Sequence, residues 1–146
     1  MKPLTVYLKK EFDECRHRQI PHRLFAPNGL GHVVPFDHPE MDNWRDSLHH
    51  GLMLRYKNTS IILTGGVDDI WQDTNTQKLI VVDYKSQAKN ARVDKQDYLE
   101  DPYHEGYKIQ MDFYAYLLSG MGFNVHPTSY FLVCNAKRDE HGFHKT

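Results

Sequence analysis

Cysteine is scarce, with two residues, Cys15 and Cys134, among 146. Two thiols cannot build a disulfide framework, a four-thiolate zinc site or an iron–sulfur cluster. A reducing cytoplasm is the simplest compartment for such a chain. Long hydrophobic runs are missing too, since none approaches the ~20 residues needed to span a bilayer. The opening Met1-Lys2-Pro3-Leu4-Thr5-Val6-Tyr7 runs into Lys9 and Lys10 without the apolar stretch of a secretory signal. An excess of one charge is also lacking: 18 basic residues against 19 acidic ones leave a net charge of −1. That argues against a protein that coats nucleic acid over its whole surface, though not against a local basic track. The chain has no H-E-x-x-H, no glycine-rich phosphate loop, no internal repeat, and no Ser-His-Asp or Cys-His set by spacing.

What is present suits one globular domain over residues 1–146: 40% hydrophobic residues, with 7 Phe, 9 Tyr and 2 Trp to fill a core. Leu4, Leu8, Phe12 and Cys15 recur at helical spacing and predict an amphipathic helix over Val6–Arg18. Residues 19–46 hold Pro21, Pro27, Pro35 and Pro39 with Asn28-Gly29, and are expected to be irregular. Strands are expected at 52–56, at 60–64 (continuing toward Trp71) and at 79–85. Ser86 to Glu105 is polar and reads as a flexible surface loop. Tyr107, Met111, Tyr114 and Leu118 form the stripe of a second helix, stopped by Gly120 and Gly122. Residues 129–134 read as a buried strand, and both cysteines as core residues. The order helix, three strands, helix, strand predicts an α/β fold with a mixed sheet flanked by helices.

The polar turn Asp73-Thr74-Asn75-Thr76-Gln77 carries the chemistry. A hairpin centred between Asn75 and Thr76 sets Asp68 directly opposite Asp83, and Lys85 shares the face of Asp83 because it lies two residues on. Facing carboxylates repel unless a cation or a shared proton compensates. Mg²⁺ suits such a site, because it takes a few carboxylate oxygens and keeps open positions for water and phosphate. The Tyr84 backbone carbonyl would add a ligand, and Lys85 would orient or deprotonate a water and stabilise charge on a phosphate. Gln110 and Tyr114, at i and i+4, share one helix face.

Gly66-Val67-Asp68, Val81-Val82-Asp83-Tyr84-Lys85-Ser86 and Gln110-Met111-Asp112-Phe113-Tyr114 together resemble the PD-(D/E)XK nuclease superfamily, and within it the RecB-like exonuclease branch. The resemblance covers roughly residues 50–135 and implies a restriction-endonuclease-like αβββαβ core. It implies a Mg²⁺- or Mn²⁺-dependent, exonuclease-like deoxyribonuclease acting on DNA, with protein partners in DNA repair, recombination or defence. By carry-over Asp68 and Asp83 bind the metal, Lys85 is catalytic, and Gln110 and Tyr114 complete the site. Lys89, Arg92 and Lys95 follow the catalytic strand and are expected to contact phosphates.

Two departures qualify it. Many RecB-like nucleases place a metal-binding histidine in the first helix, where this chain offers Thr5, Tyr7 and Glu11 and no His before His17. Iron–sulfur relatives use four cysteines. The chain then reads as a minimal version or a piece of a longer nuclease. A non-catalytic nucleic-acid-binding or assembly module is the alternative. The histidines His22, His32, His38, His49, His50, His141 and His144 lack zinc spacing, although His49 and His50 precede the first strand within reach of the acidic site.

Overall fold

The computed structural model describes residues 4–136, with the side chains of Leu4 and Thr5, His141, His144 and the polar tail from Lys137 outside that description. Helix α1 (Leu4–Arg18) forms where expected. Leu8 and Phe12, one turn apart, are buried, and Arg16 continues the same face into the interior. They join Phe25, Val33, Trp71, Ile80 and Val82 in one core cluster. Cys15 and Cys134 are half-buried rather than fully enclosed, with Cys134 at the margin of this cluster.

The segment 19–46 is more ordered than its prolines suggested. It supplies strand β1 (Val33–Pro35), all three residues buried, and a short helix α2 (Met41–Trp44). Proline is tolerated in β1 because the strand lies at a sheet edge, where one missing N–H costs no ladder bond. Strands β2 (Leu52–Arg55) and β3 (Ile62–Gly65) form an antiparallel hairpin that is its own two-stranded sheet. The expected continuous run to Trp71 is therefore broken. After β3 the chain turns at Gly66 and re-enters as β4 (Asp69–Asp73) in the main sheet. Glycine is required at that turn: a Cβ on Gly66 would stand 2.5 Å from Ser47 Cβ and 2.6 Å from its Cα.

β4 pairs antiparallel with β5 (Leu79–Gln87) in the register expected from a turn centred between Asn75 and Thr76, with Asp69 opposite Val82 and Gln72 opposite Leu79. Asp73 Oδ1 accepts from the Asn75 and Thr76 amides at 2.8 and 3.2 Å, which closes the turn. The first five residues of β5, Leu79 to Asp83, are buried, as befits a central strand covered on both faces.

Residues 86–105 are not a continuous loop. β5 runs on to Gln87, and Asp94 caps helix α3 (Lys95–Glu100) by accepting from the Gln96 and Asp97 amides at 2.9 and 3.1 Å. A 3₁₀ turn over Pro102–His104 leads into helix α4 (Glu105–Gly120), which buries Met111, Tyr114, Leu117 and Leu118. Strand β6 (Tyr130–Asn135) returns parallel to β5. The four-stranded sheet has the order β1-β4-β5-β6 and is mixed. α1 packs on one face and α4, with the β2–β3 hairpin, on the other. The sheet flanked by helices is thus present, with β1, α2 and α3 added to the expected αβββαβ order and the expected second strand split into β3, which pairs with β2 apart from the main sheet, and β4. Among the described residues no helix is long and apolar enough to cross a membrane.

Candidate active site

Asp83 sits in the middle of β5, only 5% exposed. The β4–β5 ladder, continued by one pair beyond Asp69 and Val82, sets Asp68 beside it. Asp68 is held there by its neighbours. The Tyr84 amide donates to Asp68 Oδ2 at 2.8 Å, and the Val67 amide donates to the Trp44 carbonyl at 3.1 Å. Gly65 lets the approach to Asp68 pass close under Tyr114, since a Cβ there would meet the Tyr114 ring at 2.8 Å. Burial raises the Asp83 carboxyl above the ordinary carboxylate range, and the Asp68 charge adds to this, against the lowering pull of Lys85.

Lys85, on the same side of β5, brings Nζ to 2.6 Å from Asp83 Oδ2. The contact is a direct ion pair, and the ammonium favours the charged form of the buried Asp83 carboxyl. Two neighbouring carboxylates, one of them buried and each disfavouring charge on the other, are the donor set a hard divalent cation compensates. The residues present therefore fit such an ion. Asp68 and Asp83 would hold it, with the Tyr84 carbonyl between Asp83 and Lys85 along the strand. No group of three or more His, Cys, Asp or Glu suited to a metal occurs among the described residues. Two carboxylates leave open the positions that Mg²⁺-type sites give to water and phosphate oxygens.

From α4, Gln110 Nε2 donates to the Tyr114 hydroxyl at 2.7 Å. Burial raises the Tyr114 hydroxyl above its usual value, and the charges of Asp83 and Asp68 reinforce that. Tyr114 therefore keeps its proton and can donate it in a hydrogen bond. Tyr107, one turn before Gln110, lays its ring 3.9 Å from Lys85 Nζ. The helical stripe predicts packing for Tyr107 and not this contact; its position three residues before Gln110 is the signal for it.

A second unforeseen feature lies on the opposite face of the sheet. Asp69, next to Asp68, is 1% exposed and receives Arg16 Nη2 at 2.5 Å, the Tyr84 hydroxyl at 2.5 Å and the Trp71 indole N–H at 3.3 Å. Burial and the Asp69 charge push the Tyr84 hydroxyl far above its usual value. Arg16 also donates to the Phe36 and Ile70 carbonyls, at 2.7 and 3.3 Å. The signal for it is an arginine one turn after Phe12 and two turns after Leu8.

The remaining expectations are placed as follows. Lys89 and Arg92 are exposed on the loop after β5, whose backbone is tied down by Asn135 through Lys89 and Ala91. Lys95 opens α3 among Asp94, Asp97 and Glu100, so the basic track ends in an acidic helix. His49 and His50 lie against the Asp46 carboxylate at 3.1 and 3.5 Å, both exposed, and do not join Asp68 and Asp83. His22 is buried beside Phe12 and bonded to Glu11 at 2.9 Å. Glu11 is thereby occupied by His22 and Arg23, and Tyr7 is 54% exposed. Neither of these α1 side chains takes the place of a first-helix histidine.

A sequence profile of the PD-(D/E)XK nuclease superfamily matches residues 4–145. The chain belongs to the PD-(D/E)XK nuclease superfamily. The match takes in both helices that flank the sheet, Asp68 just before β4, and the strand carrying Asp83 and Lys85. Neither the curated proteins nor the solved structures offer a significant match to the chain. Membership gives this PD-(D/E)XK protein its chemical class: a metal-dependent nuclease, a hydrolase with a nucleic acid as substrate.

Proposed function

We propose that the chain is a RecB-like, exonuclease-like deoxyribonuclease that hydrolyses DNA phosphodiester bonds at Asp68, Asp83 and Lys85 with Mg²⁺ or Mn²⁺. The observation that carries the reading is the convergence of Asp68, just before β4, with the buried Asp83 of β5 beside the Lys85 ammonium. A divalent ion held by Asp68 and Asp83, with the Tyr84 carbonyl, would supply Lewis-acid polarisation of the phosphate and a more acidic water. Lys85 then faces the charge that builds on the phosphate, and Tyr114, oriented by Gln110, has a proton to donate to a phosphate oxygen. Lys89 and Arg92, exposed just beyond β5, would meet the backbone of the strand on either side of the cut. Lys95 would contribute less, given its acidic neighbours. In this reading residues 1–146 act as one nuclease-like domain, with partners in DNA repair, recombination or defence.

The test is degradation of linear and of closed circular DNA in Mg²⁺ or Mn²⁺, comparing wild type with Lys85→Ala. The expected result is metal-dependent loss of linear DNA alone, reduced at least 100-fold or so in the variant, the scale of losing an electrostatic catalyst. Equal activity in both proteins, or none in either, sinks the catalytic assignment. A second reading, a non-catalytic nucleic-acid-binding or assembly module, draws on α1, where Glu11 is engaged with His22 and Arg23. Calorimetric titration with Mn²⁺ separates the two: the enzyme has a site that Asp83→Ala removes, whereas the module shows salt-sensitive DNA binding and no such site.

A further inference from the structure

We propose that Tyr107 is a positioning residue for Lys85: its ring face holds the ammonium at the phosphate side of the two carboxylates. The proposal rests on the reading of Lys85 as catalytic. A lysine side chain is a point charge on a flexible stem, and one ion pair leaves it free to swing. Here Nζ is held from two directions, 2.6 Å from Asp83 Oδ2 and 3.9 Å from the centroid of the Tyr107 ring. The second contact lies well inside the ~6 Å within which a ring attracts a cation.

The ring itself is braced. His104 stacks on it with centroids 5.2 Å apart and planes 18° from parallel, and Tyr98 lies 4.0 Å behind His104. A 2.7 Å hydrogen bond from His104 Nδ1 to the Tyr98 carbonyl fixes the middle of this stack. Phe131, which pairs with Asp83 in the β5–β6 ladder, lies 6.3 Å from both tyrosine rings and ties the stack to the catalytic strand. The arrangement has a chemical advantage. When Asp83 turns its charge toward a divalent ion, the ion pair with Lys85 weakens. A neutral ring keeps hold of the ammonium without cancelling its charge and without competing for the ion. A carboxylate in the same place would do both.

Three proteins test this: wild type, Tyr107→Phe, which keeps the ring face, and Tyr107→Leu, which keeps apolar volume but not the ring. Steady-state cleavage of linear DNA is expected to show kcat about tenfold lower in Tyr107→Leu, with KM little changed and near-wild-type kcat in Tyr107→Phe. Loss of packing alone would lower the stability of Tyr107→Leu rather than the kcat of its folded molecules. The contact is also read without catalysis. In the metal-free protein the Lys85 ε-methylene protons, assigned by their loss in Lys85→Ala, are expected upfield of other lysines in wild type and Tyr107→Phe, and unshifted in Tyr107→Leu. An unshifted Lys85 signal in wild type overturns the proposal, even if Tyr107→Leu does not fold. Wild-type kcat in a folded Tyr107→Leu overturns it as well. If wild type cleaves nothing while the Lys85 shift is present, the nuclease reading fails and the positioning role falls with it, the contact alone remaining.

Discussion

His22 shows how one side chain can be fully satisfied and still sensitive to pH. Its Nδ1 accepts from the Leu24 amide at 3.2 Å, so the proton sits on Nε2, which faces Glu11 at 2.9 Å. Burial lowers its pKa below 6.5, more than the Glu11 carboxylate raises it. The folded state therefore binds a proton less readily than the unfolded chain. Its contribution to stability is present above the unfolded value and is lost as pH falls below about 6.5. His22→Gln is expected to be less stable than wild type at pH 7 and to lose less on going from about pH 7 to pH 5. Thermal melts at several pH values check this, and parallel slopes for the two proteins would rule His22 out as the group responsible.

At the scale of elements, the join between α1 and the sheet depends on a buried ion pair. Arg16 and Asp69 are 3% and 1% exposed, and the arginine reaches β4 and the end of β1 together. Removing one partner leaves the other charged and dry, which costs about 3–5 kcal/mol, whereas replacing both with apolar residues is often near neutral. Arg16→Met is therefore expected to lower unfolding free energy in urea by about 3 kcal/mol or more, and Arg16→Met/Asp69→Leu to recover a large part of that. The Tyr84 hydroxyl and Trp71 indole also lose their acceptor in the double variant, so recovery stays incomplete. A double variant no more stable than Arg16→Met would show that hydrogen bonding to Asp69, not charge, holds α1 in place.

Across the whole molecule, the site and the fold are linked through metal. Burial and the neighbouring Asp68 disfavour charge on Asp83 in the folded protein, so without metal its ionisation opposes folding. The sign follows: metal-free stability falls as pH rises above the unfolded value near 3.8, and Asp83→Asn removes that fall. The variant is expected to melt slightly higher than wild type at pH 7 without metal. An ion bound only by the folded state adds RT ln(1 + [L]/Kd), about 2.7 kcal/mol at a hundredfold excess. Millimolar Mn²⁺ should then raise the wild-type melting temperature by several degrees and leave Asp83→Asn unmoved. A full Mn²⁺ response in Asp83→Asn would show that the two carboxylates do not share an ion.

Local pattern sufficed for much of this protein. Helical spacing of Leu8 and Phe12 located α1, and the Met111, Tyr114 and Leu118 stripe located α4. The four-residue turn after Asp73 set the β4–β5 register, because antiparallel pairing is counted outward from a turn and needs no other information. That count is why the juxtaposition of Asp68, Asp83 and Lys85 could be read directly from residue order. Contacts between distant segments could not be read so. The pairing of β1 with β4, the departure of the β2–β3 hairpin into its own sheet, and the seat of Arg16 on Asp69 depend on which surfaces meet across the core. So does the Tyr107 ring on Lys85, which joins a helix to a strand about twenty residues earlier. Pairings of that kind are chosen by burial of whole faces, which no window of sequence contains.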